Sequence, residues 1–71
     1  MTITLLGRPG CHLCDDAEAL LVGAGHAVDR VNIDDDDALV GAYGLRIPVL
    51  LDDEGTVLAE GLITAADVAE L

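Results

Sequence analysis

Two cysteines three positions apart, Cys11 and Cys14, are the residues of this 71-residue chain best placed to do chemistry. The spacing Cys-x-x-Cys serves either redox exchange or metal binding. A structural zinc site usually needs four ligands, often two such pairs. The chain has only these two cysteines, and His12 and His26 are partial replacements. A bridge between Cys11 and Cys14 closes almost no loop, so it stabilises a fold very little. Small secreted scaffolds carry more cysteines and close longer loops. A pair with so little scaffold value reads as chemistry in a reducing cytoplasm, against the plainer alternative of two buried apolar side chains.

The elements around the pair say how it is positioned. Thr2 to Leu6 is β-rich and apolar, and Gly7-Arg8-Pro9-Gly10 breaks it. Leu13, Ala17, Leu20, Leu21 and Ala24 then form one apolar face of a helix from Cys11 or His12 to Val22, stopped by Gly23 and Gly25. A cysteine at a helix N-terminus faces unpaired backbone N–H groups and the positive end of the helix dipole. Both favour the thiolate, which is the attacking species. A second cysteine one turn later is within reach of the first sulfur and can resolve a mixed disulfide.

Further on, Ala27, Val31 and Ile33 line one face of a second strand, with Asp29 as a solvated exception. Asp34 to Asp37 opens a short helix through Ala42, with Leu39, Ala42 and Tyr43 inward. Capping and the helix dipole account for that acidic run, which lacks the spaced ligands and glycine of a calcium loop. Val49 to Leu51 and Thr56 to Ala59 are strands joined at hairpin length by Asp52-Asp53-Glu54-Gly55. Thr64 caps a last helix that runs to Leu71, with Asp67 completing a capping box. The order β-α-β-α-β-β-α predicts one small α/β sandwich with a mixed four-stranded sheet, its first unit a right-handed parallel crossover.

Composition narrows the function. Apolar residues make up 52% of the chain, which excludes a disordered tail. Three basic residues against fourteen acidic ones leave a net charge of −11. That charge argues against nucleic acid, whose phosphates must be met by Lys and Arg, and against anionic membranes. No apolar run approaches the ~20 residues of a membrane helix. The N-terminus has no basic segment followed by a long apolar stretch, so no secretion signal is expected. A domain of this length buries only about 60% of its unfolded surface. With Tyr43 the only aromatic residue, its core must come from Leu, Val, Ile and Ala.

The segment Leu6-Gly7-Arg8-Pro9-Gly10-Cys11-His12-Leu13-Cys14 resembles the start of a glutaredoxin. Tyr43-Gly44-Leu45-Arg46-Ile47-Pro48-Val49-Leu50 resembles the Tyr-Gly-apolar-Arg…Ile-Pro segment of thioredoxins, one residue shorter. The element order is similar to the glutaredoxin core over essentially the whole chain, closest to the short glutaredoxin-like proteins. The resemblance implies a thioredoxin-like, glutaredoxin-type three-layer sandwich in a single domain over residues 1–71. It implies that Cys11 attacks and Cys14 resolves. It also implies that Pro48 follows a cis bond facing the active-site disulfide, with the Ile47 backbone beside Cys11 for pairing with an extended substrate. By itself, Pro48 reads first as a proline opening an edge strand, since most X-Pro bonds are trans; the resemblance reverses that reading.

Arg8 matches the basic residue before the glutaredoxin motif, where it can favour the Cys11 thiolate or meet a substrate carboxylate; a solubilising loop arginine is the alternative. Arg46 falls on the same expected rim or balances nearby acids. His12 departs from the usual proline or glycine, and a protonated imidazole there would favour thiolate over disulfide. The first strand lacks the buried acid that thioredoxins carry beneath their cysteines. Gly61 and Thr64 match the stretch that holds glutathione, whereas Glu60 stands where glycine is usual and would repel an anionic tripeptide.

The expected function is therefore thiol–disulfide exchange at Cys11-His12-Leu13-Cys14, as a monomer, with a protein disulfide or small thiol and a separate reductant. No cofactor or metal is required, and glutathione is disfavoured. An iron–sulfur or metal carrier, or a redox-inert interaction module on the same scaffold, are the alternatives.

Overall fold

The structure, a computed structural model, describes residues 2–71. Four strands and three helices follow the expected order: β1 (Thr2–Gly7), α1 (His12–Gly23), β2 (Ala27–Asn32), α2 (Asp37–Tyr43), β3 (Val49–Leu51), β4 (Val57–Glu60) and α3 (Ala65–Ala69). The sheet runs β2-β1-β3-β4. β1 pairs parallel with β2, from Thr2 opposite Ala27 to Gly7 opposite Asn32. It pairs antiparallel with β3, with Leu5 opposite Leu50 and Leu6 opposite Val49. β3 and β4 are antiparallel, with an irregularity between Leu50 and Leu51. The turn between them is held by the Asp52 carboxylate, which accepts from the N–H groups of Glu54 and Thr56.

Alternation along the strands divides the core in two. Ile3, Leu5 and Leu50 point to one face, where Ala17 and Leu21 of α1 and Ile63 and Val68 of the α3 segment meet them. Leu6 and Val49 point to the other, with Ile33 buried beside them and Leu39, Val40 and Tyr43 of α2 packed over them. The three-layer sandwich with its mixed sheet is thus present, and β1, at its centre, contributes to both halves.

Local details differ from the sequence reading. Ile33 does not extend the second strand. It opens a 3-10 turn, Ile33–Asp35, capped by Asn32, and its side chain is fully buried. Within the acidic run, Asp36 is the residue that caps α2, accepting from the Ala38 N–H at 2.9 Å. Ala27, expected inward, is exposed: α2 has seven residues and covers only the Val31 end of that face. Val28 packs instead on the opposite face. Ala24 and Ala42 are also exposed, because Ala24 lies beyond the helix end and Val40 takes the inward place on α2. Leu13 is 43% exposed, on a part of α1 that the five-residue α3 leaves uncovered. β4 is shifted by one residue, and α3 stops at Ala69.

With so few large side chains, each central one matters. Leu50 is fully buried on β3, whereas Leu45 is fully exposed. Leu50→Ala is expected to cost about 2–5 kcal/mol by lost transfer energy and a residual cavity, close to the whole stability of so small a core. Leu45→Ala is expected to stay within about 0.5 kcal/mol. Urea unfolding of the two variants checks the contrast.

Candidate active site

The site is built where β1 ends and α1 begins. Arg8 to Cys11 form a tight turn closed by the Cys11 N–H on the Arg8 carbonyl. Cys11 is the N-cap of α1, and its sulfur accepts from the Cys14 N–H at 3.1 Å. That is the geometry in which a helix terminus stabilises negative charge on a capping atom. Cys11 and Cys14 are joined as a disulfide, with Cα atoms 5.2 Å apart. Cys11 is half-buried and Cys14 is fully buried. The half-buried cysteine therefore lies at the helix start and the fully buried one a turn inside.

Gly7 provides the seat for Cys14. A Cβ at Gly7 would stand 2.8 Å from the Cys14 sulfur and 3.1 Å from its Cβ, so the backbone of β1 approaches the disulfide in a way that no side chain permits. The sequence showed Gly7 only as a chain breaker; its signal was a glycine at the strand end just before the motif. Extending the β1–β3 register by one residue sets Pro48 alongside Gly7. The Ile47–Pro48 bond is cis, and Pro48 is fully buried. Ile47, half-buried, packs against the Leu6, Ile33 and Val49 cluster.

Gly61 ties the next loop to this corner. Its N–H donates to the carbonyls of Pro48 at 2.8 Å and Arg46 at 3.1 Å, and its φ of +74° is one that other residues rarely adopt. Thr64 caps α3 through a full capping box: its hydroxyl accepts from the Asp67 N–H, and Asp67 accepts from the Thr64 N–H. At Thr64, which matches the glutathione-holding stretch, the backbone N–H is thus already taken by a carboxylate of the same chain.

All three arginines are neutralised nearby. Arg8 pairs with Asp34 at 3.0 Å, while its Nε is buried without a partner. Arg46 donates to Glu60 and lies 5.2 Å from the centre of the Tyr43 ring. Glu60, which the sequence set against an incoming anion, is therefore matched by the cation expected to attract one. Arg30 was not among the expected site residues. It holds Asp15 at 2.8 Å and Glu18 at 3.3 Å and reaches the Arg8 carbonyl, bracing the turn before Cys11 against α1. The Asp15 hydrogen bond raises the Arg30 pKa against the opposing effect of burial, and Glu18 adds to the rise. Neither Asp34 nor Asp15 and Glu18 could be matched to their arginines by spacing, because each pair joins different elements. His12 is exposed on the first turn of α1. Among the described residues no polar or charged residue is fully buried, and β1, which carries the cysteine turn, has no acidic residue. Nor do three or more His, Cys, Asp or Glu side chains gather in a metal-holding group.

The Gly7 seat makes a direct prediction. Gly7→Ala is expected to destabilise the oxidised protein by about 1–3 kcal/mol through overpacking. The reduced protein should lose less, because the free Cys14 side chain can turn away. Denaturant unfolding of both redox forms measures the difference; equal losses would place the strain elsewhere.

The comparisons with known proteins agree with this geometry. The glutaredoxin-like domain family (DUF836) matches residues 2–71. The crystal structure of protein XcR50 from X. campestris superposes with a TM-score of 0.85 at 43% identity, over 96% of this chain and 91% of that one. The solution structure of protein Ne2328 from Nitrosomonas europaea gives a TM-score of 0.82 at 30% identity, over 97% and 86%. A malarial protein, 18% identical with a TM-score of 0.56 over 97% and 89%, shares the fold alone. No functionally curated protein matches the chain. No described helix is long and apolar enough to cross a membrane. With a thioredoxin-like fold, a vicinal Cys11–Cys14 pair at the first helix and a family match spanning the described residues, the chain belongs to the glutaredoxin-like domain family.

Proposed function

We infer that the protein is a small thiol–disulfide oxidoreductase. The observation that carries this reading is the placement of the pair: Cys11 half-buried at the N-cap of α1, accepting the Cys14 N–H, with Cys14 fully buried and bonded to it. In the reduced protein the Cys11 thiolate attacks one sulfur of a substrate disulfide. A mixed disulfide forms and the first substrate thiol leaves. The Cys14 thiol gives up its proton to solvent or to His12 and attacks the Cys11 sulfur, which expels the second substrate thiol. The substrate gains two electrons and the pair becomes the disulfide. An external thiol or dithiol reverses this step, and no bound cofactor or metal takes part. A reducing cytoplasm keeps such a pair in its working dithiol form, and the domain acts as a monomer.

The partner in this reading is a protein disulfide rather than glutathione. Glu60 occupies Arg46, Asp67 occupies the Thr64 cap, and Asp34 occupies Arg8, so the groups that would bind an anionic tripeptide already have internal carboxylates. At physiological salt, charges beyond about 8 Å are largely screened, so these local pairs outweigh the net charge.

Cys11 is expected to be alkylated as thiolate below the free cysteine value of about 8.5 in Cys14→Ser. Cys14 in Cys11→Ser should react only at higher pH. Alkylation rates across pH decide the assignment, and a lower transition for Cys14 reverses it. Cys14→Ser should also accumulate a stable mixed disulfide with a model disulfide protein, visible by mass, whereas Cys11→Ser should not.

Glutathione-coupled reduction of hydroxyethyl disulfide by the wild type should be slow. Glu60→Gly, by releasing Arg46, should raise it about fivefold, the factor that about 1 kcal/mol of local charge interaction supplies. Fast wild-type turnover that Glu60→Gly leaves unchanged would mean that glutathione is an ordinary substrate.

A further inference from the structure

An open groove of about 460 Å³ lies between α1 and the segment leading into α3, lined by Leu13, Asp16, Ala19, Leu20, Leu62 and Ile63. Helix geometry explains its composition. Residues 13, 16 and 20 share one flank of α1, three and four positions apart. Asp15 and Glu18 lie on the other flank, where Arg30 holds them. Neither cysteine lines the groove, but Leu13 at its edge directly precedes Cys14 in the first turn of α1. Leu13 is 43% and Leu62 68% exposed. Such apolar surface is costly to leave in water and is available to an apolar side chain of a partner.

Charge selects the occupant. Each of the three arginines is already paired with a carboxylate. Asp16, the one charged side chain of the groove, has no cation within salt-bridge distance among the described residues. The chain as a whole carries −11. A second copy would bring the same excess of acids to the same face. A basic partner is steered to it.

We propose that this groove docks the protein substrate of the Cys11–Cys14 pair, and that the substrate presents an apolar side chain and a Lys or Arg close to its disulfide cysteine. The apolar side chain enters between Leu13, Leu20 and Leu62, and the cation meets Asp16. This inference rests on the oxidoreductase reading and names the class of substrate for it.

The test uses the full chain, reduced beforehand and freed of reductant, as the only electron donor. The probes are synthetic peptides whose cysteine is held in a mixed disulfide with thionitrobenzoate. Attack by Cys11 releases coloured thionitrobenzoate, and Cys14 then releases the peptide thiol as the protein disulfide forms. One peptide places Leu and Lys beside the cysteine, a second replaces Lys by Glu, and a third replaces Leu by Ser. The mixed disulfide of mercaptoethanol with thionitrobenzoate is the reference for bare thiol reactivity.

The Leu–Lys peptide should react about tenfold faster than the Glu peptide and about fivefold faster than the Ser peptide, relative to the reference. Leu62→Ser should erase the preference for Leu, and Asp16→Lys should invert the preference for Lys over Glu. Both positions are exposed, and circular dichroism of the variants confirms that they fold. Equal rates for all three peptides, or preferences that survive both substitutions, overturn the docking proposal while leaving the oxidoreductase reading intact. Failure to react even with the reference disulfide overturns both. A dimer in sedimentation that Leu62→Ser dissolves would assign the groove to a second copy and overturn the proposal as well.

Discussion

The contact between the Cys14 sulfur and the bare Cα of Gly7 sets how close the first helix can come to the central strand. A side chain at Gly7 would push the sulfur away. With none there, the first turn of α1 settles directly on the end of β1. That leaves Cys14 buried and Cys11 at the cap, where its sulfur receives the Cys14 N–H. The difference between the two cysteines is therefore positional: one strand end and one helix start treat two identical side chains differently. The same strand supplies residues to both halves of the core, so the site stands on the best-buried part of the molecule.

Around this centre the protein spends its few cations on structure. Arg30 braces the turn before Cys11 against α1, Arg8 ties that turn to the acidic run after β2, and Arg46 joins the segment before Pro48 to the end of β4. Each of these pairs is partly exposed and contributes only about 0–1 kcal/mol. Their larger consequence is electrostatic, because they leave the rim of the site without an unpaired arginine. The proposed preference for a protein disulfide over a small anionic thiol rests on this feature.

The close family likeness and the geometry support each other at different levels. Solved structures at 43% and 30% identity fix the fold, and the chain's own geometry places the cysteine pair at the start of α1. The functional reading comes from the site itself, since a shared fold does not carry a shared substrate.

Much of this was legible in the amino-acid order. Cys-x-x-Cys before an amphipathic run, the hairpin-length acidic turn and the Thr64–Asp67 box are local patterns, and the structure forms each of them where the pattern lies. Ile33 was misplaced because an alternating apolar residue fits a strand and a buried 3-10 turn equally well. Ala27 and Leu13 were misplaced because periodicity shows which residues share a face, not how far a short covering helix extends over it. The pairings of Arg8 with Asp34, Arg30 with Asp15, and Arg46 with Glu60 depend on elements brought together by the sheet order. The sequence by itself determined the elements, their order and the vicinal cysteine pair, because these follow from local chemistry and spacing. Only the tertiary structure decided which arginines are already matched and where an apolar groove stays open, because those outcomes depend on distances between residues far apart in the chain.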